Sequence, residues 1–510
     1  MQSIDLRNQQ NLEKSYTRED WQQGYESLKE EYDYWIDDIE GEIPKELEGT
    51  VFRNGPGLLD INGQRIHHPF DGDGMISQII FSEGRAHFRN RFVQTEGYLA
   101  EKKAGRILYR GVFGTQKPGG WLANILDFKT KNIANTNVIY WGKKLLALWE
   151  AAEPYSLNPY TLETLGKEYF NHGLSSGEAF SAHPRVDPQG KLVNFAIEPG
   201  IKTKITIFEL NQDAEVVSKQ NHRIDGFCFI HDFVITENYC IFFQNPLSFN
   251  PIPFALGKVG AAQCIKPEKN LPTKIILIPR QHSPMVCSGV KVLETTAGFI
   301  FHHANGFEID NKIIVDSICY DSLALTDIDS NQDYRQTNFD AIAPGKLWRF
   351  ELDLLQEKVT AKLINDRACE FPAIHPDHVG RPYRYLYMSV AHNPRGNAPL
   401  QAILKIDLEL GKQQIWSAAP RGFMGEPIFI PHPHGQQEDA GWIVGLVYNA
   451  EYHRSYIVIL DANDLEKGTI AKLHLKHHIP HALHGSFTRD VLCEPIITRK
   501  SPKGTEATWL

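Results

Sequence analysis

Four histidines occur where a strand, or the end of one, would ordinarily carry an apolar residue. His183 lies in EAFSAHPRVDP, His231 in GFCFIHDFVI, His302 in GFIFHHANGFE and His484 in HIPHALHGSF. A single imidazole in such company is usually satisfied by a backbone carbonyl. Four of them point to a shared metal ion, because imidazole is the commonest protein ligand for iron, zinc and copper. They are separated by 48, 71 and 182 residues, so they can meet only where distant elements converge. His302 is followed at once by His303. Neighbouring side chains on an extended strand point to opposite faces, so one of this pair faces inward and the other does not.

Three glutamates supply a second set. Glu150 ends LLALWE, Glu370 stands in ACEFPAI and Glu426 in GEPIFI. A carboxylate among apolar residues must find a partner or give up its charge. The distal N–H of a metal-bound imidazole is a natural partner, which the carboxylate orients and makes more basic. The remaining histidines, among them His67, His68, His282, His375, His432 and His434, stand in loop-like surroundings and are expected on the surface or in turns.

Residues so far apart need a scaffold that returns to one axis many times. From Glu48 onward short β-rich runs alternate with turn signals, as in GTVFRN, NTNVIYWGKKLLALWE, TKITIFEL, NKIIVDSICY and GWIVGLVYNAEYHRSYIVILDA. Evenly spaced short strands argue for a barrel, sandwich or propeller. More than 400 residues of them are too many for one barrel, and at roughly 50–60 residues per blade a propeller would have about seven blades. The expectation is an all-β, seven-bladed propeller with a helical and loop dome over its top face. It forms one domain spanning 1–510, with an N-terminal extension (1–31), the propeller (32–490) and a C-terminal tail (491–510). Helical signal is confined to the start, where REDWQQGYESLKEEYDYWI spaces its aromatics for a helix, and to residues near 100–128.

Composition excludes several classes. A net charge of -9 argues against a nucleic-acid partner, which calls for a basic footprint. No apolar run reaches 18 residues and the first residues lack a secretory h-region. Seven scattered cysteines without a CxxC pair read as reduced thiols, which suits the cytoplasm. The insert 102–129 carries Ile107, Leu108, Val112, Phe113, Trp121, Leu122, Ile125 and Leu126 beside Lys102, Lys103, Arg106, Arg110 and Lys117. Apolar residues with basic neighbours suit a segment lying in a lipid interface, and a cap on the propeller core is the alternative.

Several stretches together carry a family resemblance: LEGTVFRNGPG, HHPFDGDGM, AGRILYRGVFGT, SAHPRVDP, FIHDF, FHHANGFE, CEFPAI, GRPYRYLY, GEPIFIP and LHGSF. From about Tyr32 to Phe487 the chain resembles the carotenoid cleavage oxygenases, nearest the cyanobacterial branch acting on apocarotenoids. The resemblance implies a seven-bladed propeller with Fe(II) on its axis, held by His183, His231, His302 and His484. Glu150, Glu370 and Glu426 would then hold His231, His302 and His484 respectively, leaving His183 without a carboxylate. The family's His-x-x-Asn spacing selects His302, with Asn305, over His303.

The implied reaction inserts both atoms of O2 across one C=C bond of a carotenoid or apocarotenoid, near the central 15,15' bond, giving two carbonyl products. Phe70, Phe113 and Trp149 match tunnel positions beside the reacting bond. The insert (Ile107, Leu108, Val112, Trp121, Leu122 and Ile125) becomes a membrane patch for peripheral docking, since the substrate lives in a bilayer. Stilbene-cleaving relatives carry Lys where this chain has Trp149, although Tyr98 falls near their phenol-contacting tyrosine. A propeller that binds polyenes without cleaving them is a further alternative. PHALHG departs from the family pattern and makes His481 a local competitor of His484.

Overall fold

The computed structural model describes residues 15–284, 289–296, 298–323 and 334–493. Residues 1–14 of the expected extension and 494–510 of the expected tail lie outside the described residues. Seven antiparallel sheets of four to six strands follow one another along the chain, and they form the blades of a propeller. The third blade is typical: Arg185–Val186, Leu192–Glu198, Lys202–Leu210 and Val216–Asp225 pair in chain order. Its second strand is buried along most of its length because neighbouring blades cover both faces. Its last strand alternates half-buried and exposed residues, the pattern of an outer edge with one wet face.

Both ends of the chain close the ring. In the first blade Gly485–Thr488 pairs with Gly49–Leu58, while Asp33–Trp35 forms the far edge. The seventh blade takes Ile39–Gly41 as its outermost strand, paired with Thr469–His474. Each seam between blades holds one apolar cluster. Phe195, Ile207, Phe233 and Phe242 pack between the third and fourth blades, and Val51, Ile79, Ile430 and Ile457 between the first and seventh. Burying such seams around a closed ring is what holds the blades in place, at about 25 cal/mol per Å² of apolar surface removed from water.

Helices are fewer and shorter than the aromatic spacing predicts. The first, α1 (Arg18–Gln23), starts on a capping box between Thr17 and Asp20 and stops at Gly24. A Cβ on Gly24 would lie 2.2 Å from the His481 ring, so a residue without a side chain lets the turn after the helix pack on that ring. Helix α2 (Glu96–Ala104) ends at Gly105 in the left-handed conformation. Beyond it the insert is loop with a single 3-10 turn at Trp121–Ala123. Among the described residues no helix is long and apolar enough to cross a membrane.

Candidate metal centre and substrate cavity

Each blade delivers one polar residue to the axis. His484 directly precedes the closing strand of the first blade, and Glu150 follows the second strand of the second, Lys144–Leu148. His183 and His231 stand just before the first strands of the third and fourth blades, and His302 lies within Phe299–Ile309 of the fifth. Glu370 occupies Cys369–Ala373 of the sixth blade, and Glu426 lies between two strands of the seventh, Gly422–Met424 and Ile428–Pro431. Seven blades thus supply four imidazoles and three carboxylates.

The four imidazoles offer one nitrogen each within 4.8 Å of one another. Their outer nitrogens pair with the acids: His231 Nδ1 with Glu150 Oε2 at 2.6 Å, His302 Nδ1 with Glu370 Oε2 at 2.5 Å, and His484 Nδ1 with Glu426 Oε1 at 3.0 Å. Among the described residues no carboxylate pairs with His183. An ionised carboxylate only accepts, so each Nδ1 donates and each Nε2 is left with a bare lone pair. His302 Nε2 and His484 Nε2 face each other at 3.2 Å, and His183 Nε2 and His231 Nε2 lie 2.9 Å apart. The carboxylates turn the lone pairs of His231, His302 and His484 toward this centre, and those of His302 and His484 repel at 3.2 Å unless a cation lies between them. Adjacent nitrogen ligands at right angles, on bonds of about 2.1 Å, are about 3 Å apart. The donor set therefore fits one transition-metal ion.

Glu370 and Glu426 are held ionised by different means. Burial opposes the charge on Glu370, but His302, the Tyr320 hydroxyl at 2.6 Å and the Phe371 N–H at 2.8 Å bring its carboxyl below the usual range. Burial also opposes the charge on Glu426, where His484, Arg53 Nη1 at 2.9 Å and the Gly485 N–H prevail. Glu426 is thus paired with a buried cation, and Glu370 is not. Burial, then the neighbouring rings of His231, His484 and His302, keeps His183 neutral and free to ligate.

Beside the rings lies a cavity of about 190 Å³ lined mostly by apolar groups. It receives Phe70, Phe113 and Trp149, together with Phe229, Phe301, Phe371, Tyr320, Thr136 and Leu483. The alternation that separates His302 from His303 is interrupted by register shifts on either side of His303. Because of the bulge between Ile300 and His303, Phe301 joins His302 on the cavity side instead of lying with His303. His303 turns into the blade, where its ring meets Ser317 Oγ at 2.7 Å and its N–H donates to Asp232. Asn305 touches no imidazole of the cluster; its amide donates to the carbonyls of His378 and Arg381. His481 packs against Tyr25 and Trp21 and leaves the axis to His484.

Three expectations change. His68 is buried, and its ring stacks 5.5 Å from Phe113; the preceding loop dives beneath the insert. Ile107 is only 6 % exposed and sits beside Ile61 and Trp149 beneath the loop, so it is not part of a surface patch. Leu108 and Val112 are half-buried, while Trp121, Leu122 and Ile125 are exposed, joined by Leu126 and Phe128. Arg110 is buried and binds the backbone carbonyls of Asn124, Asp127 and Val259. It pins the insert to the short helix α3 (Ile252–Ala255), whose Ile252 is also exposed. Tyr98 stacks on Phe92 in a blade seam and does not reach the cavity.

Sequence reasoning missed Phe229, Phe301, Phe371, Tyr320 and Thr136. Phe229 stands two residues before His231, a spacing that on an extended chain turns both side chains the same way. Phe371 has φ of +56°, a conformation only the folded blade imposes, and no sequence signal marks it.

A family model described as retinal pigment epithelial membrane protein, RPE65, matches residues 25–489. The chain belongs to this family, the carotenoid cleavage oxygenases. Over 485 residues this carotenoid cleavage oxygenase is 49 % identical to the apocarotenoid-15,15'-oxygenase of Synechocystis sp., covering 94 % of this chain and 98 % of that protein. It is 28 % identical to lignostilbene-alpha,beta-dioxygenase isozyme III of Sphingomonas paucimobilis, over 88 % of this chain and 93 % of that one. The crystal structure of the cobalt-substituted Synechocystis apocarotenoid oxygenase superposes with a TM-score of 0.90, covering 93 % of this chain and 99 % of that chain.

Proposed function

We propose that the protein is an Fe(II) dioxygenase that cleaves one C=C bond of an apocarotenoid, near the central 15,15' bond, into two carbonyl products. The observation that carries this reading is a cluster of four imidazoles, one nitrogen of each within 4.8 Å of the others, at one side of an aromatic cavity. In it His183, His231, His302 and His484 hold the iron, and Glu150, Glu370 and Glu426 keep three of the rings oriented. Iron held by neutral ligands alone keeps its full charge and supplies open positions for activating O2 beside an alkene. The protein's own part is to bind, orient and dry. Phe70, Phe113 and Trp149 turn ring faces to a conjugated chain and stabilise positive charge developing on it. The apolar lining keeps water from the reacting carbons.

Trp149 also favours a polyene over a stilbene, since it gives the cavity an apolar wall where a phenol would need a polar contact. Tyr98, stacked on Phe92, offers that phenol no partner. An apolar substrate implies collection from a membrane. The exposed Trp121, Leu122 and Ile125, with Leu126, Phe128 and Ile252, form a surface for peripheral docking from the cytoplasm. The deciding assay gives iron-loaded protein an apocarotenal and a hydroxystilbene in parallel under 18O2, with products resolved by liquid chromatography and mass spectrometry. The expected result is a pair of aldehydes from the apocarotenal, each carrying label. Cleavage of the stilbene alone would overturn the proposal.

A further inference from the structure

The cavity beside the imidazoles is small, and at about 190 Å³ it lies below the range of about 300–1,000 Å³ that encloses a drug-sized ligand. It can hold the reacting stretch of a polyene but not a whole arm with its ring. A second apolar cavity of about 320 Å³ adjoins it, and the two share Phe70, Tyr320, Glu370, Phe371 and Leu483 in their walls. Phe371 stands at this junction with its ring 5.6 Å from His302 and 5.3 Å from His484. Its left-handed backbone is anchored by its N–H donating to Glu370.

The wall of the second cavity is not made by the blades alone. Trp21 and Tyr25, from α1 and the turn after it, close it together with Phe339. These side chains are locked: Trp21 meets Tyr25 and Phe339 edge-on, each at 5.1 Å, and Tyr25 meets His481 at 4.6 Å. Backbone contacts hold the segment down, with the His481 N–H donating to Gly24 O at 2.9 Å and Gln22 Nε2 to Arg335 O at 2.6 Å. The family match begins at residue 25, so Trp21 lies outside it.

We propose that this second cavity binds the non-reacting arm of the substrate, and that Trp21 with Phe339 forms the stop deciding which double bond comes to rest at the four imidazoles. The inference rests on the polyene-cleaving reading given above. A conjugated chain presents double bonds at regular intervals along one line. A rigid end wall therefore turns depth of insertion into choice of bond, and moving the wall moves the cut. Trp21 and Phe339 are specificity-determining residues in this account. Ala398, also on the wall of the second cavity, offers a place to fill it.

The test uses the full-length, iron-loaded protein and a series of β-apocarotenals of increasing length, with aldehyde products identified by mass spectrometry. Trp21→Ala is expected to add a second product pair, cut further along the chain, at no less than about a tenth of total product, with iron content unchanged. Ala398→Phe is expected to weaken apocarotenal binding to metal-free protein at least about five-fold, the lower end of what overfilling an apolar site costs. Phe339→Leu reads the same wall should Trp21→Ala not fold. Unchanged product ratios in the folded wall variants, with unchanged affinity in Ala398→Phe, overturn the proposal. If wild type binds iron and apocarotenals but yields no aldehyde, the cleavage reading fails, and the affinity measurement still decides the wall.

Discussion

The axis and the flanks of the cavity are built by opposite means. On the axis, every blade gives one residue from a strand or from the chain next to one, and three of the four imidazoles are tied to a carboxylate within 3.0 Å. The flanks add to blade residues such as Phe301, Tyr320 and Phe371 two segments outside the blade pattern: the insert before Lys131, which brings Phe113, and the N-terminal turn carrying Trp21 and Tyr25. The axis is over-determined by the ring of seams, so its geometry suits a reaction that must not vary. The flanks are held by a few contacts such as Arg110 on the insert and His481 on the N-terminal turn. They can diverge between relatives without disturbing the metal ligands, and that is where choice of substrate is expected to lie.

The largest effects should fall on the axis. His231→Ala or His484→Ala should abolish iron binding and lower turnover by at least about 10³-fold, since several kcal/mol of metal-supplied stabilisation vanish. The acids behind the rings should divide into two kinds. Glu370→Gln should cost about 10–100-fold in iron affinity with little loss of stability. Glu426→Gln should add a stability loss of about 3–5 kcal/mol, because it strands the buried Arg53 guanidinium without its carboxylate. Denaturant titration beside iron titration separates the two, and equal stability of both variants would erase the distinction drawn here.

On the flanks the effects should be smaller and should spare the axis. Leu122→Ser with Leu126→Ser should weaken sedimentation with liposomes by at least about ten-fold, each exposed leucine being worth about 1.5–3 kcal/mol when buried in lipid. Turnover of detergent-dispersed substrate should hold. Loss of both together would mean that the insert shapes the cavity rather than docking. Phe113→Ala is unsuitable for this purpose, since Phe113 is buried and lines the cavity.

The smallest effect concerns the seam between the first and seventh blades. Burial there lowers the His477 pKa to about 4 from the usual 6.5, where its ring stacks 4.0 Å from Tyr32. Between these values the unfolded chain binds a proton that the folded chain refuses. Stability is therefore full above pH 6.5 and falls as the pH drops toward 4. His477→Gln should shallow the fall of Tm over that window, and an unchanged slope would assign the loss to other buried histidines.

The propeller was legible because a blade strand writes itself locally, as alternation on an outer edge and as an apolar run where both faces are covered. The axis was legible for a related reason. A histidine inside an apolar strand is costly, and Glu150, His183, His231, His302, Glu370, Glu426 and His484 recur once per blade. What escaped depended on long-range geometry. The bulges around His303 bring Phe301 to the cavity against simple alternation, and burial of His68 and Ile107 depends on how the insert folds over its neighbours. Trp21 read as an aromatic in an extension, and its place at the cavity depends on His481, 460 residues away.

The central claim is that iron sits among His183, His231, His302 and His484, with His303 apart. Iron per chain, measured by mass spectrometry on wild type, His302→Ala and His303→Ala purified side by side, tests it most directly. The account predicts close to one equivalent in wild type, almost none in His302→Ala, and a content near wild type in His303→Ala. Equal iron in the two variants would contradict it.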